Sequence, residues 1–550
     1  MKADKIFKNA KIFTSDCKNP KATALVVKDG KFVYVGDEAG LSAYEGEVVD
    51  LGGKFIMPGI FDSHVHVTLP VGFAYSDTGE RFACNGKQEA LDFMANYIAK
   101  NPGRKCYRFI LEKKDLLGET LTYKDLDAIC PDADLQIQEA EFHSVWVNSR
   151  VLKRHGITDD TPDPVPGLSV YERKDGHVTG YIIEGSAETR IILDGTLDLT
   201  DEQIDAALQS WIDFSVEHGV TAVFDAGIPG FPEAHEHIMK RLCALDKQGK
   251  LPVYVDNCYV IAANWQAEDG LKELKRFRKE YSTPHHQVHT MKIFMDGTQK
   301  IRTAAMLTPY EGTQEKGATA FNKEDLAALM VKLNAEGLDL HMHTVGSAAS
   351  HVALDAVEIA RKELGDKFTM KVTCAHLEVQ DDADMGRFAK LGVIANYTPW
   401  WHAADPQVLT PVIGYERARK MFRCKTMWDS GALVTWSSDN VVYDFPCWNP
   451  FLGMEVGMTR QITEKTNSHA FTRTTAVFPP ENERMGIEEM LLGYTINGAK
   501  QLGVEAAKGS ITVGKDADFL VFGKNLLAEP QEGFSFNLPQ EVYFGGKKVN

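Results

Sequence analysis

Two histidines one residue apart, His64 and His66, end the apolar run Met57-Pro58-Gly59-Ile60-Phe61-Asp62-Ser63-His64-Val65-His66. Alternate residues of a strand face the same side, so both imidazoles can reach one metal ion. Other residues of metal-binding type close later strand-like runs. These are His343 after Leu338–Met342, His376 after Val372–Ala375, and Asp439 just beyond Leu433–Ser438. Histidine suits zinc, and a catalytic zinc keeps one position open for water. A single histidine at a strand end is usually structural or superficial. Five such residues at matching ends of four strand-like runs point instead to metal-assisted hydrolysis. Zn²⁺ is the expected ion, and other divalent transition metals are the alternatives.

Lys292 is a sixth candidate, within Thr290-Met291-Lys292-Ile293-Phe294-Met295-Asp296-Gly297. A lysine facing a barrel interior is strongly disfavoured unless its charge is neutralised. Carboxylation by carbon dioxide would make it an anion able to bridge two metals. An ion pair with Asp296, on the same strand face, is the structural alternative, and local spacing leaves both open.

These residues need a scaffold that gathers strand ends. Eight strand-like runs occur: Ile56 to His66, Val220 to Asp225, Val253 to Val260, Met291 to Asp296, Leu338 to His343, Val372 to His376, Val393 to Thr398 and Leu433 to Ser438. Helical patterns such as Lys323 to Ala335 and Ala349 to Leu364 separate most of them. The expected fold class is α/β, a (β/α)8 TIM-type barrel with its chemistry at the C-terminal strand ends. The stretch from Val67 to Glu217 is too long for a loop and should hold an inserted α+β subdomain between the first two barrel strands. Short strands recur at both ends of the chain, including a hairpin turned at Asp29-Gly30 and the run Phe519-Leu520-Val521-Phe522. They suggest one small β-sandwich built from both termini. The expected division is 1–57 plus 505–550 for the sandwich and 58–504 for the barrel, with the insertion at about 68–200.

The net charge of -17 argues against nucleic acid as a partner. Neither a signal peptide nor a membrane span is apparent, and nine cysteines without a CxxC pair suggest reduced thiols. A cytoplasmic protein acting on a small molecule, without nucleic acid or membrane, is the expectation. Cys374, two residues before His376, is the thiol nearest the proposed chemistry.

The chain resembles the amidohydrolase superfamily, specifically its YtcJ-like branch of metal-dependent hydrolases (amidohydrolase family 3), nearly end to end. The resemblance is carried by Pro58-Gly59-x-x-Asp62-x-His64-x-His66, Gly219-Val220-Thr221-Ala222-Val223, Lys292-x-x-x-Asp296-Gly297, His343-Thr344-Val345-Gly346, Ala375-His376 and Ser438-Asp439. The tail Lys508-Gly509-Ser510-Ile511-x-x-Gly514-Lys515-Asp516-Ala517-Asp518 matches too, as does His143-Ser144-x-Trp146-x-Asn148-Ser149 in the insertion. The resemblance implies that His64, His66, His343, His376 and Asp439 bind metal, with Lys292 as a carboxylated bridge. It also implies that Asp439 serves as general base and then acid. A homodimer is the assembly it makes plausible. The chain departs from the pattern at Glu141-Phe142, at Asp296-Gly297-Thr298 and at Ser347-Ala348-Ala349, all outside the proposed ligands.

Pocket candidates are His143 and Trp146 from the insertion, Asp296, Trp400 and Trp401 after the seventh strand, and Tyr443, Phe445 and Trp448 after the eighth. Glu184 is weaker, because hairpin glutamates are usually solvated. His341 should sit one layer below His343 as a supporting histidine. His285, His286 and His289 should form an exposed rim, and His235 and His237 should diverge on a helix. The expected reaction is hydrolysis of a non-peptide C–N bond, of N-acyl or N-formyl type. A deaminase or cyclic-amide hydrolase is the alternative, and a non-catalytic barrel the third reading.

Overall fold

The structure is a computed structural model. It describes residues 1–75, 79–114, 120–139, 142–194, 197–403, 406–440, 448–461 and 483–550. Eight parallel strands follow one another around a single sheet. They are β1 (Ile60–Val65), β2 (Val220–Asp225), β3 (Tyr254–Ile261), β4 (His286–Phe294), β5 (Asp339–Thr344), β6 (Val372–His376), β7 (Ile394–Tyr397) and β8 (Val434–Trp436). The seam between β8 and β1 is nearly closed by backbone bonds just past the strand ends. The Asp439 N–H donates to His64 O at 2.9 Å, and the His66 N–H donates to Asn440 O at 3.1 Å. The Asp62 carboxylate adds a third link by accepting the Ser438 N–H at 2.8 Å.

Period-two alternation explains the layering. On β5, Leu340 and Met342 pack outward with Leu326, Leu329 and Leu333 of the helix Lys323–Ala335. Asp339, His341 and His343 share the opposite, inward face. The helix begins where Asn322 accepts the Asp325 N–H at 2.8 Å, an ordinary N-cap. The barrel interior is therefore polar, and its outer wall is the largest apolar core.

The first expected strand is in fact two. Phe55–Pro58 belongs to another sheet, paired with Phe519–Phe522 from the far end of the chain. The break falls at Gly59, where a Cβ would lie 2.1 Å from Thr221 Oγ1, so no larger residue fits. That six-stranded sheet and a four-stranded one share a core in which Phe519 stacks on Tyr543 at 4.4 Å.

Between β1 and β2 lies a six-stranded mixed sheet running from Glu80 to Ile183. It carries its own core of Phe82, Phe109, Leu135 and neighbouring apolar residues. No helix among the described residues is long and apolar enough to cross a membrane. The eight described cysteines are all free thiols.

The rim expected of His285, His286 and His289 is corrected for the last two. β4 starts earlier than expected, at His286, so His286 is buried and His289 is mostly enclosed, whereas the His285 side chain, just before the strand, stays 39% exposed. Burial pushes His286 down to about 4. His289 sits between Asp256 and Asp339, at 3.0 and 3.4 Å.

Candidate active site

Three residues of metal-ligand type converge where the barrel closes. The ligand atoms of His64, His66 and Asp439 all lie within 4.8 Å of one another. Asp439 Oδ1 is 3.4 Å from His64 Nε2 and 3.2 Å from His66 Nε2, without a hydrogen bond of normal geometry. Burial alone would raise the Asp439 carboxyl, but His66 and then Lys292 outweigh it and hold it below its ordinary value.

His66 is steered from β2. Its Nδ1 meets Gly227 O at 2.5 Å. The Asp225 carboxylate in turn fixes this turn by accepting the Gly227 N–H at 3.0 Å and the Val67 N–H at 3.2 Å. His64 is supported from β5, with Nδ1 at 2.8 Å from His341 Nε2.

Opposite stand His343 and His376, their ring centroids 4.7 Å apart, with His376 4.9 Å from His64. Alternation alone would turn His376 outward, since Val372 and Cys374 of β6 face the helical layer. A left-handed backbone, φ 77°, swings the chain at His376 and brings its ring inward. Asp439 is also left-handed, φ 48°. Such conformations are uncommon for residues with a Cβ and gather at functional sites. Burial holds His64 and His376 well below the usual imidazole range and His343 down to about 3, so all three rings are neutral and keep a lone pair.

Lys292 is fully buried and reaches the same centre. Its Nζ is 3.5 Å from His64 Nε2 and 5.0 Å from the Phe294 ring centroid. Burial pushes its pKa down to about 8. The alternative pairing with Asp296 does not form. Asp296 instead accepts the backbone N–H groups of Ala305, Val345 and Gly346, at 2.9, 3.0 and 2.8 Å. Its Oδ1 lies 3.3 Å from His343 Nδ1. Asp296 therefore braces His343 and two loops, and its carboxylate does not face open pocket.

The insertion contributes His143, whose ring is 5.8 Å from that of His343. Its Nδ1 is 2.7 Å from Glu184 Oε2. Glu184, expected to be solvated, is buried, and its Oε1 accepts the Thr303 hydroxyl at 2.6 Å. Burial would raise its carboxyl, but the His143 imidazole outweighs this and lowers it. Gly297 makes room for this carboxylate, since a Cβ there would lie 2.0 Å from Glu184 Oε1.

Trp146 does not reach the site. It stacks on Tyr181 at 4.3 Å inside the core of the insertion. Trp401 does reach it, parallel to His376 at 5.1 Å and 17°. Trp400 is tied back, its Nε1–H donating to Ser438 O at 2.6 Å. Trp448 is buried against Phe214. Phe445 and Tyr443 lie outside the described residues. His235 and His237 turn to different carboxylates, Asp225 at 3.4 Å and Asp201 at 2.7 Å.

Sequence reasoning passed over Phe294. It follows Lys292 by two residues, so it faces inward. Its half-buried ring stands 5.4 Å from His343. The parity that singled out Lys292 was the available signal.

A family model described as Amidohydrolase family matches residues 47–549. The chain is 25% identical over 528 residues to the putative amidohydrolase YtcJ of Bacillus subtilis, covering 93% of this chain and 92% of that protein. It is 25% identical over 530 residues to N-substituted formamide deformylase of Arthrobacter pascens, covering 94% and 93%. An uncharacterized metal-dependent hydrolase from Pyrococcus furiosus has a similar fold, with a TM-score of 0.64 at 23% identity over 95% of this chain and 99% of that one.

Proposed function

The chain belongs to the amidohydrolase family, and from that premise we propose that it hydrolyses a non-peptide C–N bond of a small molecule with the help of divalent metal. The observation that carries the reading is the convergence of His64, His66 and Asp439, with Asp439 Oδ1 facing two imidazole nitrogens and lacking a hydrogen bond. Two imidazoles beside a carboxylate form a donor set that fits zinc. His64, His66 and Asp439 would hold one ion. His343 and His376 would hold a second, and Lys292, carboxylated on Nζ, would bridge them. The bound ion supplies a Lewis acid that polarises the scissile carbonyl and acidifies a water.

The chain's own groups divide the remaining work. Asp439 takes the proton of the attacking water and returns it to the leaving nitrogen. Glu184 holds His143 through Nδ1 and keeps its ring beside that of His343, where it would meet the substrate. Asp296 orients His343. Phe294 and Trp401 supply apolar walls on either side of the proposed ligands, suited to an alkyl or aryl substituent. The similarity to N-substituted formamide deformylase supports N-formyl and N-acyl amides as the substrate class. On the same reading, the chain divides into a terminal sandwich, 1–57 with 505–550, and a barrel, 58–504, carrying the insertion.

Elemental mass spectrometry with a panel of N-formyl and N-acetyl amines tests the proposal. The wild type should carry about two zinc ions per chain and release free amine. Lys292→Ala should lose roughly one ion, and His64→Ala most of the first site. Asp439→Asn should retain most metal and lose turnover by roughly 10³-fold or more, as expected for removal of an essential proton carrier. A wild type that holds no metal after reconstitution would overturn the reading.

A further inference from the structure

We infer that His341 is a positioning residue that fixes the tautomer of His64 from below, through a hydrogen-bonded line running from the proposed metal site to a cavity in the barrel floor. The inference rests on the proposed role of His64 as a ligand. His64 Nδ1 and His341 Nε2 are 2.8 Å apart, so one ring must donate to the other. Both rings are buried, at 0% and 2% exposure. A neutral imidazole has one N–H and one lone pair.

Only one direction leaves His64 useful. Its Nε2 faces Asp439 Oδ1 at 3.4 Å and must present a lone pair there to ligate. The proton then sits on Nδ1 and is donated to His341 Nε2. His341 in turn carries its proton on Nδ1, on the far side of its ring, and needs an acceptor there. The reverse direction would place a proton on His64 Nε2 and close the ligand position.

The floor of the barrel supplies the acceptors. A small cavity with room for about one water is lined by Asp256, Asp339, Thr290 and Thr373 beside His341, with the donor Lys371 among its other walls. Asp339 shares the inward face of β5 with His341, one layer lower. Two carboxylates and two hydroxyls thus border the cavity beneath the imidazole. His341 also stacks on Phe224, at 4.5 Å and 24°, which holds the ring in the plane that serves His64. A hydrogen bond to the far nitrogen of a ligating histidine sets its tautomer and basicity, and its loss typically costs about 10- to 100-fold in metal affinity.

The experiment is zinc affinity of the full-length protein, measured by competition with a chromophoric chelator, with thermal unfolding of the metal-stripped forms as the fold control. His341→Phe keeps the stack on Phe224 and removes the acceptor. His341→Gln keeps an acceptor, its amide oxygen. The expected result is about a 10- to 100-fold loss for His341→Phe and recovery of most of that loss in His341→Gln. Equal zinc affinity in wild type and His341→Phe would overturn the inference while leaving the metal site standing. A wild type that takes up no zinc would remove the site and the inference together. Should His341→Phe fail to fold, histidine ¹⁵N shifts of the zinc-loaded wild type decide. A proton on His64 Nδ1 with a bare His341 Nε2 supports the line, and the reverse tautomer overturns it.

Discussion

The Glu184 carboxylate joins three parts of the site with two oxygens. One oxygen meets His143 Nδ1 at 2.7 Å, the other accepts the Thr303 hydroxyl at 2.6 Å, and the Thr298 N–H lies 3.3 Å away. Its own backbone is left-handed, φ 65°, a conformation with a cost that such a network can offset. Glu184→Gln keeps the volume and the acceptor for Thr303 but loses the charge that faces His143. A hydrogen bond to a charged group contributes about 1.5–3 kcal/mol. The expected effect is a fall of roughly 10- to 100-fold in kcat/KM with metal content unchanged. Steady-state kinetics beside elemental analysis check both halves, and loss of metal in this variant would place Glu184 in the fold rather than in substrate handling.

At the level of elements, the floor of the barrel is as polar as its mouth. His289 on β4 bridges Asp256 on β3 and Asp339 on β5, so one imidazole ties three strands. Burial opposes its charge, but the Asp256 and then the Asp339 carboxylates outweigh this and raise it to about 10. A group raised in the folded state contributes stability that is fully present below its ordinary value, about 6.5, and lost as pH climbs through the folded value. His289→Asn should therefore unfold earlier than the wild type near neutral pH, and the gap should narrow as pH rises from 7 towards 10. Thermal unfolding of both proteins across that window reads the difference, and a gap that widens would contradict it. A second tie binds the sandwich. Lys508 is buried, with Nζ at 2.6 Å from Asp518 and 3.0 Å from Asp516. This explains why the tail motif sets Lys508 eight and ten residues before its two aspartates. Lys508→Met leaves the buried Asp518 carboxylate without its cation, while Asp516 keeps Lys31 at 2.7 Å, and should cost about 3–5 kcal/mol in urea unfolding, with the proposed metal site unaltered.

Across the whole molecule, the parts legible in the sequence were those with a short-range period. Alternating apolar runs marked the eight barrel strands, and the His64-x-His66 spacing marked one face of the first. Conformation and long-range contact were not legible. Nothing local says that His376 takes a left-handed backbone, without which its parity would send it outward. Nothing local says that Glu184 is buried by Thr303, 119 positions later, or that Trp146 turns into the core of the insertion. The seam between β8 and β1 is of the same kind. It joins Asp62 to Ser438, 376 positions apart, and the Asp439 and His66 amides to His64 and Asn440. Three of the proposed ligands sit on that seam, so barrel closure and metal binding should be one event. Burial lifts the Asp62 carboxyl to about 7, yet it still accepts the Ser438 N–H. Asp62→Ala removes no proposed ligand, although the Asp62 carboxylate also meets the His64 backbone. It frees the loop that carries Asp439, and should lower zinc affinity and thermal stability together. An ion that binds only the folded chain stabilises it by RT ln(1 + [L]/Kd), about 4 kcal/mol at a thousandfold excess over Kd. The unfolding midpoint of the wild type should therefore rise with the logarithm of free zinc, and the same titration of Asp62→Ala should start lower and respond only at higher zinc. A variant that loses stability but titrates like the wild type would separate the seam from the site.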